Sequence, residues 1–598
     1  MEFTKKLARG KSTGYSGLLK QRIWTMIAKF MHDSMIERMA IPLDARSSVC
    51  QLAEFLPTTV DEKSEKEVTH HVKFKVSGTG IETAPGDRIG VLYESDEKIV
   101  KDTILTLANY DKSSADKLRN LKVSLSSTWR EALRARPEYH DSLGLKYENP
   151  EKEIVPYEIP LSDFLRYAKL RPVTRDMVRV VYAATLCPML LKFIETHRES
   201  MMQGPDLLHL YCRSHPNATK ILLHCNGEEE MLASKMFEEN CERMFKYADL
   251  CNDGFVSRKS MVRIGKAAGS NDTAQDEIMD LFDKYDTENT SKLDFPKFKE
   301  LVMDIVKQKG GVGASLQDLF QIPSLCDILP PISFRVYSIA SSDNKEAGEV
   351  HLCVEKVRYS QTNPTALISP AFCDIEPMED RYGASSNFLK ERTTKEGFSK
   401  KVVLQHQRQP IFQLPAPSKD VPIIMIAAGS GLAPFRAFWQ ELGIRHSAVI
   451  AAGGKAPSKA LFILQAATRD SLPFKEEIAS LVGDGVMDFQ VWLSREDYSA
   501  DFSSGKVNWV PRKRGYVHKN ILEQGELRDI LGKHLGETSK SILYMCSGAG
   551  FAANIMNSIS DIIGEHGIEI MMSQERLKLE VSSLPSDLCI CYFIPISD

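Results

Sequence analysis

The sequence lacks long apolar runs, a strong charge excess and closely spaced cysteine motifs. No stretch of its 598 residues approaches the roughly 18 apolar residues that a membrane-spanning helix needs. The formal net charge of −4 argues against a nucleic-acid binder. The 12 cysteines are scattered without a CxxC motif, which favours reduced thiols over disulfides or a zinc site. We therefore expect a cytoplasmic protein with no membrane span and no nucleic-acid partner. Attachment to a large cytoskeletal or other assembly is left open.

The N-terminal segment differs in texture from the rest of the chain. Residues 16–40 have the spacing of an amphipathic helix with a broad apolar face. Such a helix packs on its own protein or on a partner, and a calmodulin-like or membrane-surface target is the alternative. Residues 44–67 have the composition of a linker and end in a charged stretch.

The remaining sequence predicts two main lobes. The segments HVKFKVSG and RIGVLYES resemble strands, residues 96–240 are mostly helical in pattern, and short strands resume at FRVYSIAS and EVHLCVEKVRY. From Val421 onward the segments PIIMIAAG, AVIAAGG, DFQVWLS and SILYMCSG are each followed by a helix-like stretch. That alternation predicts a parallel sheet with helices on both faces.

A glycine-containing turn follows the first of these parallel strands. Gly429 and Gly431 would let the backbone approach a phosphate closely, and Pro434 suits the first turn of a helix. The N-terminus of that helix favours the negative charge of a pyrophosphate. Taken alone, the turn is also consistent with a glycine-rich connection that binds nothing.

A second set of polar residues follows the strand FQVWL. Ser494 and Arg495 come directly after it, at the carboxyl end where such sheets bind ligands. Arginine pairs with phosphate oxygens through two N–H groups, so Arg495 and Arg514 suit a 2′-phosphate, whereas NAD would require an acidic residue. Tyr516 lies nearby in the sequence. A solvated surface is the alternative for these residues taken alone.

The segment RVYSIAS resembles the Arg-x-Tyr-Ser flavin motif of the ferredoxin–NADP reductase superfamily. Its flanks are similar to the diflavin reductases, the group of NADPH–cytochrome reductase, the sulfite reductase flavoprotein and the nitric oxide synthase reductase. The resemblance extends from about residue 68 to about residue 583, and the matching segments occur in the family's order.

This resemblance implies FAD and NADPH as cofactors. Arg335 would pair with the FAD pyrophosphate, Tyr337 would stack on the flavin ring, and Ser338 would hydrogen-bond near flavin N5. The other flavin-binding residues that it implies are Ile339, Cys353, Val354, Tyr359, Gly383, Ala384, Ser385 and Ser386. The implied NADPH-binding residues are Gly429, Ser430, Gly431, Pro434, Ser494, Arg495, Arg514, Tyr516 and His518.

The implied fold is multidomain, of the α+β and α/β classes. An antiparallel flavin-binding β-barrel with a helical connecting insertion and an EF-hand-like pair would precede a doubly wound NADP(H)-binding α/β domain. The expected boundaries are 1–67 for the N-terminal helix and linker, 68–240 for the first flavin part and connecting helices, 241–308 for the EF-hand-like pair, 309–418 for the second flavin part, 419–583 for the NADP(H) domain and 584–598 for a C-terminal extension.

The sequence departs from the family at four places. Only 67 residues precede the flavin lobe, without a phosphate-binding loop, so we expect no FMN domain in the chain. Aligning AVIAAGG with a family strand puts Gly454 at the position of the catalytic cysteine. Near the C-terminus, Glu580 would replace an aspartate and Ser582 an aromatic residue that shields the flavin. The extension beyond these residues could add a strand to a sheet edge.

Residues 245–298 resemble a pair of EF-hands. Asp249, Asp253 and Ser257 lie at liganding positions of the first loop, and Val256 and Leu293 lie where the two loops would pair. Calcium requires about six to eight oxygens, typically with a glutamate at loop position twelve. That position is held by Ser260 in the first loop and Lys297 in the second. Calcium binding is therefore not expected, and the three first-loop residues are only a weak candidate metal site.

Together these patterns predict an FAD-dependent oxidoreductase that accepts hydride from NADPH and passes electrons to a separate acceptor. Ser338 and Glu580 are the candidate catalytic residues. The alternative is a catalytically impaired reductase-like protein that serves as a structural or docking subunit. The expected partner is an electron acceptor in the first case and a scaffold protein in the second.

Overall fold

A computed structural model describes residues 47–136, 157–214, 241–310, 324–359 and 381–581, with short gaps inside these ranges. The predicted N-terminal helix, Ser582 and the C-terminal extension lie outside the described residues. No described helix is both long enough and apolar enough to cross a membrane. The cysteines within the described ranges are free thiols.

The strands are numbered in chain order. They are β1 (Ser47–Asp61), β2 (Lys66–Lys75), β3 (Arg88–Leu92), β4 (Lys122–Ser124), β5 (Glu158–Pro160), β6 (Val256–Ser257), β7 (Lys292–Leu293), β8 (Arg335–Ser338), β9 (Glu349–Glu355), β10 (Arg358–Tyr359), β11 (Arg381–Tyr382), β12 (Lys401–Gln407), β13 (Ile423–Ala428), β14 (Ala460–Ala466), β15 (Met487–Leu493), β16 (Tyr498–Asp501), β17 (Asn508–Pro511), β18 (Ile542–Ser547) and β19 (Leu577–Val581).

The helices are numbered in the same way. They are α1 (Glu97–Leu107), α2 (Lys112–Leu118), α3 (Ser127–Arg134), α4 (Leu161–Tyr167), α5 (Arg175–Thr185), α6 (Gly204–Ser214), α7 (Arg258–Ala267), α8 (Asp272–Tyr285), α9 (Phe295–Gly310), α10 (Leu325–Ile328), α11 (Ala384–Thr394), α12 (Ala433–Ala451), α13 (Lys475–Gly483), α14 (Val517–Leu522), α15 (Glu526–Leu535) and α16 (Ala549–Ser573). Short 3₁₀ turns cover Pro410–Phe412, Gly429–Leu432 and Arg469–Ser471.

The described residues divide into two compact units. The first unit takes in the described parts of 1–92, 334–357 and 385–598, and the second those of 93–333 and 358–384. Both large sheets belong to the first unit. The predicted domain boundaries themselves stay a prediction.

The first large sheet is antiparallel, with the order β8-β3-β12-β1-β2-β9. An isolated antiparallel bridge between Ile339 and Leu352 joins the chain after β8 to β9, the two edge strands of this order. These strands show period-two alternation. On β2, Val72 and Phe74 are fully buried, whereas Lys75, the residue after Phe74, is exposed.

The prediction of a linker at residues 44–67 is wrong for much of that range. Residues 47–61 form β1, which pairs with both β12 and β2. Cys50 and Leu52 are buried in it, while Gln51 between them is exposed. Pro57 obscured the pattern, because a proline cannot donate to a sheet ladder; here it lies beside an irregularity in the β1–β2 register.

The second large sheet is parallel, with the order β15-β14-β13-β18-β19. On β13, Ile424 and Ile426 belong to one apolar cluster, and Met425 and Ala427 to the other. Both faces are therefore covered, which explains why the strand is an unbroken apolar run. The predicted doubly wound parallel sheet is confirmed, and its order reverses between β13 and β18.

One strand assignment in this lobe is wrong. The segment AVIAAGG is not a strand, because residues up to Ala451 form the end of α12, and the strand that follows is β14. This end of α12 is mostly exposed, with Ile450 48% exposed, so the short apolar run reflected neither a buried strand nor a core.

The second unit is mainly helical, as the pattern of residues 96–240 predicts. Helices α1, α3, α4, α5 and α6 share one apolar core that includes Trp129 and Phe164. A smaller core, centred on Phe282 and Phe298, lies among α7, α8 and α9. There β6 pairs with β7 through Val256 and Leu293, as the sequence predicts.

Candidate functional site

Polar side chains from three strands meet at one end of the parallel sheet. Arg88 on β3 is opposite Ser338 on β8, since the two are register partners. The guanidinium Nε of Arg88 donates to Glu580 Oε1 at 2.8 Å, and Ser338 Oγ donates to the same oxygen at 2.7 Å. Both predicted catalytic residues, Ser338 and Glu580, are thus brought together. Arg88 is a member that sequence reasoning missed.

This group is shielded from solvent. Arg88 and Glu580 are each only 4% exposed. The second carboxylate oxygen of Glu580, Oε2, is buried and has no hydrogen-bond partner among the described residues. Because a buried carboxylate oxygen is costly to leave unpaired, its position identifies a place where an N–H donor of a ligand would be stabilised.

A buried cysteine lies beside the carboxylate. Cys546 on β18 is the register partner of Glu580 on β19. Burial raises the pKa of the Cys546 thiol well above its ordinary value; the Glu580 carboxylate adds to that shift and the Arg88 guanidinium opposes it. The thiol is therefore neutral, and it is a candidate site residue that the sequence reasoning did not identify.

The expectation of a lost catalytic thiol at Gly454 rested on a wrong strand assignment. That expectation assumed that Gly454 follows a strand, whereas it follows the end of α12. The segment SILYMCSG, correctly assigned as a strand, already contained the signal: a cysteine at the carboxyl end of a buried strand beside the reversal of strand order.

The residues of the flavin motif lie on and next to β8. Arg335 is exposed, and the Tyr337 hydroxyl donates to Ser385 Oγ at 3.0 Å. Burial raises the pKa of Tyr337. Ile339 is buried, and its N–H donates to the Asp87 carbonyl at 3.0 Å.

The other predicted flavin residues are placed as follows. Cys353 and Val354 are buried on β9, where burial raises the pKa of Cys353 to about 12. Ser385 and Ser386 are buried in the first turn of α11. In the second unit, Tyr359 belongs to β10, and Gly383 and Ala384 lie at the start of α11.

The predicted phosphate turn follows β13. Gly429 has a φ of +55°, a left-handed conformation that glycine tolerates. A Cβ on Gly431 would lie 2.2 Å from the Cys546 carbonyl oxygen, so only glycine fits there. Pro434 lies in the first turn of α12, and Ser430 Oγ is 3.4 Å from Glu355 Oε2. The turn thus lies against the end of β18.

The predicted 2′-phosphate group follows β15. The backbone N–H groups of Ser494 and Arg495 donate at 3.0 Å to the carbonyls of Ala466, the last residue of β14, and of Ala467, respectively. The Arg495 and Arg514 side chains are exposed, and within the described ranges neither forms an ion pair with a carboxylate. Their charges are therefore available to an anion.

Two more predicted residues lie at the start of α14. Tyr516 is 44% exposed, and its ring centroid is 5.6 Å from that of His518. Burial, followed by the nearby Lys519 charge, lowers the pKa of His518. Arg512, which sequence reasoning did not select, lies over the Trp492 ring at 3.6 Å and is only half-buried.

The three candidate metal ligands of the first loop already have hydrogen-bond or ion-pair partners within the protein. Asp249 accepts from the N–H groups of Asp253 and Gly254, and Ser257 Oγ is 2.8 Å from Ser260 Oγ. Asp253 pairs with the Lys292 ammonium of the second loop. In that loop, Lys297 Nζ lies 3.1 Å from Glu288 Oε1. Lysine charges therefore already neutralise loop carboxylates.

A further group with metal-like spacing, Glu346, Glu349 and His351, already has partners within the protein. His351 Nε2 pairs with Glu349 at 3.0 Å. The Arg436 guanidinium lies 3.2 Å from His351 Nδ1 and 3.9 Å from Glu346. A bound metal ion would have to compete with this arginine.

Comparison with known proteins finds no matching family model. Among curated proteins, 27% of residues are identical to the NADPH–cytochrome P450 reductase of Musca domestica over 44% of this chain and 35% of that protein. The sulfite reductase [NADPH] flavoprotein alpha-component of Escherichia coli strain K12 is 30% identical over 41% of this chain and 33% of its own length. The corresponding protein of Salmonella typhimurium gives the same identity and coverage.

The match spans about a third of the length of these relatives. Both kinds of relative are diflavin reductases, in agreement with the flavin motif, the phosphate turn and the order of the parallel strands. The chain is therefore related to the diflavin reductase family over the matched part of its length.

Proposed function

We propose that the chain is an FAD-dependent oxidoreductase that accepts hydride from NADPH and passes the electrons to a separate acceptor. The observation that carries the proposal is the hydrogen bond from half-buried Ser338 to buried Glu580, whose second carboxylate oxygen is unpartnered, at the carboxyl end of the parallel sheet. Ligands of such sheets bind at this end. The named relatives are an NADPH-dependent reductase and an NADPH-dependent flavoprotein.

The described residues fit the two cofactors. Position 431 requires glycine, because the Cys546 carbonyl lies too close for a Cβ. The turn at the N-terminus of α12 therefore has no side chain at this position, which suits the binding of a phosphate by backbone N–H groups. On the flavin side, Arg335 offers an exposed charge for a pyrophosphate, and Tyr337 offers a ring held through Ser385. Bound FAD would supply the redox chemistry, because its ring accepts a hydride and NADPH leaves as NADP⁺.

In this proposal each residue has a defined task. Ser338 Oγ holds Glu580 Oε1, which leaves the buried and unpartnered Oε2 as the acceptor for the nicotinamide carboxamide. The negative carboxylate also stabilises the positive charge that develops on the nicotinamide as the hydride leaves. The buried Cys546 thiol excludes water from the same place.

The bridge between Ile339 and Leu352 supports closure of the antiparallel sheet into a barrel, because it links the two edge strands of that sheet.

The alternative function is a catalytically impaired docking subunit. The hydrogen bond between Ser338 and Glu580, with the Cys546 thiol beside Glu580, supports the enzyme.

The test is turnover with a one-electron acceptor. Protein loaded with FAD is mixed with NADPH and ferricyanide, and NADPH oxidation is followed by absorbance. We expect two ferricyanide ions to be reduced for each NADPH oxidised. The same protein loaded with FMN, which lacks the pyrophosphate and adenosine, is the control and should be much slower. No turnover with bound FAD would favour the docking subunit.

Arg495→Ala is expected to weaken NADPH binding about 10- to 100-fold while leaving NADH binding nearly unchanged. The reason is that only NADPH has the 2′-phosphate that an exposed arginine at the end of β15 would pair with. The measurement is the Kd for each nucleotide, with Lys506→Ala, on the loop before β17, as a matched control. Equal weakening of both nucleotides by Arg495→Ala would refute the assignment.

The paired loops of the second unit are proposed to be an EF-hand pair that folds without calcium. We expect calorimetry with millimolar calcium to give little heat, because the ammonium groups of Lys292 and Lys297 lie against loop carboxylates. Lys297→Glu, which restores an anion at position twelve, should bind calcium more tightly than the natural chain. Tight binding by the natural chain would contradict this proposal.

A further inference from the structure

The buried arginine of the site has no counterpart in the sequence predictions. Arg88 is 4% exposed and lies on β3, next to Ser338 on β8. Its Nε donates to Glu580 Oε1 at 2.8 Å. With the Gln409 amide oriented to present its oxygen, Nη2 and Nη1 of Arg88 also donate to that oxygen, at 2.6 and 3.0 Å. The guanidinium is thus fixed from both ends.

We propose that Arg88 is a positioning residue that keeps the buried carboxylate of Glu580 ionised, and thereby keeps Oε2 available as an acceptor for the nicotinamide. The proposal rests on the proposed function. A carboxylate with 4% exposure loses most of its hydration, and desolvation favours the protonated form. A cation in direct contact reverses that preference. An arginine provides such a cation at every physiological pH, because it does not deprotonate.

Other charged and titratable groups near Glu580 cannot replace Arg88. On β19, the Lys578 ammonium donates to the Ile411 carbonyl at 2.8 Å. On β18, Cys546 and Tyr544 are neutral, since burial raises both pKa values well above their ordinary range. In the chain around β3 and β12, His406 is paired with Asp87 at 2.8 Å.

The Asp87–His406 pair has its own set of contacts. Burial alone would raise the pKa of Asp87, but hydrogen bonds from His406, Gln409 and Ala84 lower it below its ordinary value. Asp87 precedes Arg88 in the chain, and its carboxylate lies with these donors. Within the described ranges, Arg88 is therefore the cation in contact with Glu580.

Loss of this cation has a predictable consequence. Buried glutamates without a cationic partner reach pKa values of about 8 to 9 in known cases. In Arg88→Gln, burial without a cation would therefore favour the protonated form of Glu580. A protonated carboxyl group has lost its negative charge and is a poorer acceptor, so the nicotinamide would lose its partner.

The experiment compares the natural chain with Arg88→Gln and Arg88→Lys at several pH values. In the first readout, protein loaded with FAD is mixed with NADPH without oxygen, and flavin bleaching is timed. The natural chain and Arg88→Lys should show little pH dependence between about pH 6 and about pH 8. In Arg88→Gln, where no cation offsets the burial of the carboxylate, the rate should fall as the pH is lowered over the same range.

The second readout uses flavin-free protein and needs no activity. In Arg88→Gln the carboxyl group stays buried without a cation, which favours its protonated form in the folded protein, so the variant should be more stable at low pH and lose that stability as the pH rises. The Tm deficit of Arg88→Gln relative to the natural chain should therefore widen from about pH 5.5 to about pH 8.5. Arg88→Lys should show a smaller deficit that changes little with pH.

The two readouts separate the possible outcomes. A rate loss and a Tm deficit that are the same at every pH would mean that Arg88 only packs, and would overturn the inference. If the natural chain with bound FAD is not bleached by NADPH at any pH, the proposed function fails. The Tm readout still decides in that case whether Arg88 sets the ionisation of Glu580.

Discussion

Glu580→Ala is expected to slow the reduction of bound FAD by NADPH about 100- to 1,000-fold, and to lower the free energy of unfolding by about 3–5 kcal/mol. The rate falls because the substitution removes the carboxylate that Ser338 and Arg88 hold in place. The stability falls because Arg88, 4% exposed, would be left as a buried charge without its partner. Stopped-flow absorbance measures the first effect and urea unfolding the second.

Glu569→Ala is a matched control, since Glu569 is an exposed glutamate on α16 of the same lobe. It should leave the reduction rate unchanged and alter stability by no more than about 0.5 kcal/mol. Glu580→Gln keeps the shape of the side chain without its charge, and should lose rate more than stability. If Glu580→Ala reduced FAD as fast as the natural chain, the assigned site would be wrong.

Gly431→Ala is expected to abolish NADPH binding and to lower the free energy of unfolding by about 2–4 kcal/mol. The added Cβ would lie 2.2 Å from the carbonyl oxygen and 2.8 Å from the carbonyl carbon of Cys546. Both are backbone atoms of a central strand, so the turn would have to move and the start of α12 would move with it. Urea unfolding and nucleotide titration measure the two losses.

The effect of Gly431→Ala should depend on position rather than on the loss of a glycine. Gly550, in the first turn of α16, has nothing within 4 Å of a built Cβ and no positive φ. Gly550→Ala should therefore stabilise the protein slightly, by up to about 1 kcal/mol. Equal stability losses for the two substitutions would show that the close approach at Gly431 does not matter.

Local patterns in the sequence were sufficient to predict much of the fold. The unbroken apolar run of β13, followed by glycines and Pro434, predicted a parallel strand, a tight turn and a helix in that order. The strand FQVWL placed Ser494 and Arg495 at the carboxyl end of a sheet. Each of these features is encoded within some twenty neighbouring residues, so no tertiary information was needed.

Other features depended on contacts that no local pattern encodes. Arg88 and Glu580 are 492 positions apart, and only the pairing of β3 with β8 and the order of the parallel sheet bring them together. The sequence placed Arg88 in the strand RIGVLYES but contained no local pattern that marked it as a site residue. Likewise, AVIAAGG has the composition of a buried strand, and its helical state follows from continuity with α12. That error put Gly454 at the end of a strand, whereas it follows a helix.

The central claim is that NADPH reduces a flavin bound at the Ser338–Glu580 site. The most direct measurement mixes FAD-loaded protein with NADPH in the absence of oxygen and acceptor, and follows flavin absorbance together with NADP⁺ formation. We predict bleaching within seconds, with one NADP⁺ formed per flavin, and much slower bleaching with NADH. Bound FAD that stays oxidised over minutes in excess NADPH would contradict the account.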